Sequence, residues 1–228
     1  MRLFRLLALG ACGFLAASQA AVATPIADRS QLESILGGPG TLETFSTYVP
    51  PAGSFDYLDC STLNSTSVCN GQGPGLVATG LSITGQPAWI DTGYLGLPSR
   101  MLGDATGSDD LFAFTTPVTA FGADLYAFAG FPSLDAMLYI FGPDETTLIG
   151  QISGISLTTA GTFVGWSDLA GIGGFAMSYG SGLSTFIPNI DNLEFGSGTS
   201  SVPEPGTSAL LGIGIAALAG IRRRKFAR

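Results

Sequence analysis

Carboxylates are the main reactive groups this chain can offer. Its 228 residues contain seventeen Asp and Glu, nine Lys and Arg, three cysteines and no histidine. Without an imidazole it has no Ser-His-Asp or Cys-His nucleophile in the usual form, and no His-ligated zinc or iron. A Ser-Lys dyad fails as well, because the one lysine, Lys225, belongs to a basic cluster near the C-terminus. What remains is a pair of carboxylates of the kind that hydrolyses glycosidic bonds, drawn from Asp56, Asp59, Asp104, Asp109 and Asp110. That surface polysaccharide hydrolase is the alternative reading. The leading expectation is a body that is not an enzyme.

Other residue types suggest binding. Glu43 and Asp191 become neighbours if the first and last strands pair, and two carboxylates with nearby carbonyls can begin a calcium shell. The plainer alternative has Asp191 and Asn192 capping a turn and Glu43 facing water. Asp104, Asp109 and Asp110 lack EF-hand spacing and read as a solvated turn. Trp89, Tyr94, Trp166 and Tyr179 are the rings that could stack on a sugar. Most aromatic residues of a β-protein are core; Trp166, in a Val-Gly-Trp-Ser strand, is expected to be half-buried. Trp89 and Tyr94, in a Gly/Pro-rich stretch, are expected to be the exposed pair. Cys60 and Cys69 lie in a polar Ser/Thr/Asn/Gly stretch and are expected to form a disulfide outside the cytoplasm. Asn64-Ser65-Thr66 is a formal glycosylation sequon.

These residues must be positioned by a body bounded by two targeting segments. Met1 to about Ala23 reads as a secretory signal peptide: Arg2 and Arg5, an apolar run Leu6 to Ala17, then small-residue cleavage sites after Ala20 or Ala23, the latter preferred. The apolar stretch before Cys12 is too short for a lipoprotein signal. At the other end Pro203-Glu204-Pro205 precedes an uncharged run, Gly206 to Ile221, which stops at Arg222, Arg223, Arg224 and Lys225. As a helix the run spans about 24 Å, the short limit for a bilayer core of about 30 Å, and the flanking cations can snorkel. The basic stop keeps that end cytoplasmic and puts the body outside.

Seventeen acids against only Arg29 and Arg100 leave the stretch from residue 24 to Pro205 at −15, which the whole-chain value of −8 conceals. So acidic a body lacks the cations that neutralise phosphates, so nucleic acid is excluded as a partner. Between residues 24 and 198 short apolar runs alternate with Gly, Pro and Asp turn signals. Strands are expected at 42–45, 76–83, 111–114, 121–128, 136–141, 147–152, 162–166, 175–179 and 190–195, with a short helix or loop at 30–36. The expected fold is all-β: a single antiparallel sandwich flanked by an N-terminal signal helix and a C-terminal transmembrane helix. The domain reading is 1–23 signal, 24–198 ectodomain and 199–228 tail.

The tail, Val202-Pro203-Glu204-Pro205-Gly206, hydrophobic run and terminal arginines, resembles the PEP-CTERM sorting domain of bacterial exported proteins over about the last tenth of the chain. The resemblance implies export across the inner membrane of a Gram-negative-type bacterium and temporary anchoring by the C-terminal helix. It also implies processing by an exosortase, a membrane cysteine protease-transpeptidase acting near the Pro-Glu-Pro motif, and release to a cell surface or biofilm matrix rich in extracellular polysaccharide. Pro203, Glu204 and Pro205 are then substrate positions. Leu111–Phe114, Pro117–Asp124, Phe163–Trp166 and Ile190–Gly196 resemble the β-sandwich ectodomains found upstream of such tails, similar to jelly-roll carbohydrate-binding modules. In that architecture Ile190–Phe195 pairs with Thr41–Phe45, and matrix polysaccharide joins the exosortase as a candidate partner.

Overall fold

A computed structural model describes residues 23–85, 88–91, 94, 97–104, 110–127, 135–179 and 187–198. The signal segment before Ala23, the Pro-Glu-Pro motif, the apolar run and the basic stop lie outside these residues, as does Asp109. Within them the chain is mostly β, with one short helix, α1 (Arg29–Leu36). The strands are β1 (Thr24–Ile26), β2 (Thr41–Glu43), β3 (Phe55–Tyr57), β4 (Thr62–Asn64), β5 (Leu81–Thr84) and β6 (Ala88–Ile90). They continue with β7 (Met101–Asp104), β8 (Leu111–Tyr126), β9 (Asp135–Phe141), β10 (Leu148–Ser156), β11 (Thr162–Tyr179) and β12 (Ile187–Gly196). All their pairings are antiparallel.

Two long strands organise the sheet. β8 and β11 pair twice, in different registers: Leu125 to Ala120 opposite Thr162 to Ser167, then Ala113 to Leu111 opposite Gly174 to Ala176. The register shifts fall between Ser167 and Gly174, opposite Pro117 and Val118. Proline cannot donate to a ladder, so a bulge is where a strand tolerates it. One half of the sheet carries β5 and β4 beside β8, and β9 and β10 beside β11. The other carries β1 on β11, and β12, β7, β6 and β3 in succession beside β8, with β2 on β12.

The halves meet through phenylalanines. Phe121 stacks on Phe175 at 4.6 Å, and Phe175 on Phe112 at 4.9 Å. Phe195 lies 5.0 Å from Phe114. All five rings are buried, each contributing about 2–3 kcal/mol by area removed from water. The opposite face of β8 is built from small residues. Ala120 and Gly122 leave room there for Leu32 of α1 and the ring of Phe163; a Cβ on Gly122 would collide with that ring. Asp28 starts the helix by accepting from Gln31 N at 2.8 Å and from Ser30 Oγ at 2.7 Å. Gly37, at φ 78°, ends it in the left-handed region.

Ile190–Phe195 does pair with the start of the body: Leu193, Glu194 and Phe195 face Glu43, Leu42 and Thr41. The Gly142-Pro143-Asp144 turn also forms, with Asp144 accepting from Thr146 N and from Thr147 N and Oγ1. Those donors pull its pKa down to about 2. Other expectations are corrected. The separate strands at 111–114 and 121–128 are one strand, as are 162–166 and 175–179, because Pro117 and Gly171 mark bends in extended chain, not turns. The strand expected from Leu76 begins at Leu81, after a turn closed by Leu81 N to Ala78 O at 3.3 Å. β1, β3, β4, β6 and β7 are short strands that the apolar pattern did not signal.

Candidate functional site

β3 ends the run of strands β12-β7-β6-β3, and no described strand pairs on its far side. Alternation along it sends Phe55 and Tyr57 to one face and Asp56 to the other. Phe55 and Tyr57 are 37% and 39% exposed, and their rings meet edge to face at 5.1 Å and 80°. Tyr94, half-buried, adds a third ring 5.5 Å from Phe55 at 63°. It also packs on the buried set Ile90, Leu97, Met101 and Tyr126. Two backbone hydrogen bonds hold it, Tyr94 N to Asp91 O and Leu97 N to Tyr94 O, both 3.1 Å. Asp91 ties that segment to β3 through its own N–H to Ser54 O at 3.0 Å and by accepting Gly53 N at 2.8 Å. Arg100 Nε stands 3.7 Å from the other Asp91 oxygen.

The far end of β3 is fixed by the disulfide loop. Cys60 and Cys69 are bonded, with Cα atoms 5.4 Å apart. Beyond the bridge Asn70 donates to Tyr57 O at 2.8 Å, and Asn70 and Asp59 exchange backbone-to-side-chain hydrogen bonds of 3.0 and 2.5 Å. The sequon side chain of Asn64 is spent locally, accepting from Thr66 N and Oγ1.

Trp89 is not an exposed ring. It is 1% exposed, packed against Phe45 and Tyr48 at 5.9 and 6.0 Å. The preceding Gly-Gln-Pro read as loop, but Ala88–Ile90 slots between β3 and β7, which carries the indole inward. Trp166 and Tyr179 are buried too. Phe55 and Tyr57 went unnoticed in the sequence; the signal was an aromatic at positions i and i+2 around one acid, the mark of a half-exposed strand.

The carboxylates separate into different environments. Glu43 accepts Phe45 N and Ala78 N (2.5 Å), and Asp191 accepts Ser99 Oγ (2.5 Å) and Asn192 N (2.7 Å). Burial raises both pKa values above the ordinary carboxylate range; like charge adds to the rise, Asp191 on Glu43 and Asp124 on Asp191. Their oxygens serve the chain itself. Among the described residues no group of three acids or cysteines is arranged to hold a metal ion. Asp56 accepts the Tyr48 hydroxyl, Asp110 is buried against Gly85, and Asp104 closes β7. Beside Asp191, Arg29 of α1 reaches Glu194 at 2.9 Å, Asp124 at 3.2 Å and Asn192 O at 2.9 Å. It also lies 5.3 Å over Phe163. The two body cations therefore hold the fold together.

Both ends of the body leave from one row of the sheet: Thr24 faces Ser167, Ser167 faces Ala120, and Ala120 faces Gly196. Three strand spacings, about 14 Å, separate them. No helix among the described residues is long and apolar enough to cross a membrane.

The body is thus an acidic, disulfide-stapled antiparallel sheet whose two ends leave from one row of strands. Residues 201–225 match the PEP-CTERM protein-sorting motif. The chain carries that sorting signal, which implies export, membrane-anchored sorting and an exosortase as processing partner. No curated protein and no solved structure matches the chain.

Proposed function

We propose that this is an exported, exosortase-sorted protein of the cell surface or extracellular matrix. Its body, a jelly-roll-like β-sandwich, is structural or adhesive and binds matrix polysaccharide. The observation that carries the reading is the sorting motif at 201–225. The apolar run 206–221 anchors the precursor until the exosortase acts, with the cations at 222–225 retained inside. The Phe121–Phe175 and Phe114–Phe195 contacts between the two halves support the sandwich. The single row from which both body ends leave supports a domain standing on one membrane face before processing. A non-catalytic body is supported by the lack of histidine and by the engagement of Asp56 and Asp59 with Tyr48 and Asn70.

The sorting half is tested by replacing Pro203, Glu204 and Pro205 with alanine and fractionating the producing cells. Accumulation of a longer, membrane-bound form is the expected result. Processing and release at the normal level would overturn it.

A further inference from the structure

We propose that the corner of the body formed by Pro117, Pro143, Leu169 and Ala170 is a membrane-contact surface of the anchored precursor. Its partner is the neutral lipid surface around the apolar run 206–221. The contact rests on the anchoring reading above and adds which part of the body meets the bilayer. At this corner β8 and β11 pass from one half of the sheet into the other through their register shifts. Gly171, at φ 103°, makes the bend in β11, and a Cβ there would stand 3.3 Å from both Pro117 and Pro143. Two exposed prolines are thereby gathered around one glycine. Asp168, itself buried, accepts Ala170 N at 2.8 Å and holds the bulge with its next two residues in solvent. Leu169 is 56% exposed and Ala170 is exposed beside it.

The chain leaves the body from this same corner. Ser197 Oγ donates to Pro117 O at 3.5 Å, and Gly198 N donates to Thr119 Oγ1 at 2.7 Å. Gly198 lies so close to α1 that a Cβ would come within 2.3 Å of Ile35 O, so the exit point is fixed. The residues 199–205 that separate it from the apolar run reach at most about 28 Å. A body the size of residues 24–198 is about 40 Å across. The tether would have to span that width for the corner to face away from the membrane, and it is too short. Apolar atoms held this near a bilayer gain by entering its interface. Charge selects the lipid. The body stands at −15, and Asp144 and Glu145 follow Pro143 in the exposed turn, so an anionic surface repels the corner and a neutral one does not.

The test uses the full chain after signal removal, made in a bacterium that lacks an exosortase and reconstituted into phosphatidylcholine vesicles. With Cys60 and Cys69 bonded to each other, one added cysteine takes the environment-sensitive dye NBD. Leu169→Cys and Ala170→Cys report the corner, Thr159→Cys the exposed turn before β11, and Ile213→Cys the apolar run. Nitroxide lipids labelled near the headgroup should quench both corner dyes by about half and leave the dye at Thr159→Cys unchanged. Lipids labelled deep in the acyl chain should quench the dye at Ile213→Cys. Circular dichroism confirms that each variant is folded. Quenching at Ile213→Cys with none at either corner position overturns the contact and leaves the anchor standing. Equal quenching at Thr159→Cys and the corner overturns the choice of surface. No quenching at Ile213→Cys overturns anchor and contact together. Phosphatidylglycerol in the vesicles should weaken the corner quenching, and an increase overturns the choice of lipid.

Discussion

Arg29→Met removes one side chain that holds three parts of the fold. The guanidinium joins α1 to Glu194 and the Asn192 carbonyl of β12, and to Asp124 of β8. Methionine keeps an apolar stem over Phe163 but leaves Glu194 and Asp124 beside Asp191 with no counter-charge. Removing one partner of a fully buried pair costs about 3–5 kcal/mol, and an exposed pair contributes about 1 kcal/mol or less. Here Glu194 is 5% exposed, Asp124 24% and Arg29 31%, so solvent screens two of the three groups. The expected loss is about 2–3 kcal/mol, between those limits. With an m-value of about 2–3 kcal/mol/M, that moves a urea midpoint by roughly 1 M. Trp89 and Trp166, both buried, report the transition by fluorescence. Glu194→Gln in the same chain should recover about half, since the amide oxygen still accepts Gly40 N. A loss under about 0.5 kcal/mol would refute the reasoning.

Two further outcomes follow from other contacts. Replacing Cys60 and Cys69 by alanine opens a loop of about ten residues and should cost about 2–3 kcal/mol on the chain-entropy account. That is a melting temperature lower by roughly 5–10 °C for a body of this size; calorimetry showing no change would mean that Asp59 and Asn70 close the loop unaided. Glu43 and Asp191 hold their protons more tightly when folded, so their contribution is full below the ordinary carboxylate range and is lost as pH rises through the raised values. Asp191→Asn keeps acceptors and donors for Asn192 N and Ser99 Oγ. It should flatten the decline in urea midpoint toward neutral pH, and a steeper decline would contradict the assignment.

Some of this architecture was written in local pattern. The Gly142-Pro143-Asp144 turn and the Cys60–Cys69 bridge followed from residue types with one dominant conformational use, whereas the β12–β2 pairing was implied by the resemblance of Ile190–Gly196 to the last strand of such sandwiches. Pro117 and Gly171 carried an ambiguous message. Each breaks a regular ladder, and a broken ladder can be a turn or a bulge; which one depends on whether strands on both sides keep pairing. Here β11 and β8 continue past the break in a new register. Short strands such as β3 and β6 carry too few residues for a period to register at all.

The C-terminal segment needed no tertiary structure to be read. Proline rigidity, an uncharged run and a cationic stop are local properties, legible to a membrane enzyme and to a reader of the sequence alike. The absence of histidine likewise limited the chemistry at once. Which rings face water was decided only in three dimensions. Trp89 and Phe55 both sit in Gly/Pro-rich surroundings, but Ala88–Ile90 has a strand on each side, and β3, among the described residues, has one on one side only. Burial depends on how many neighbours a strand has, and partners distant in sequence set that number.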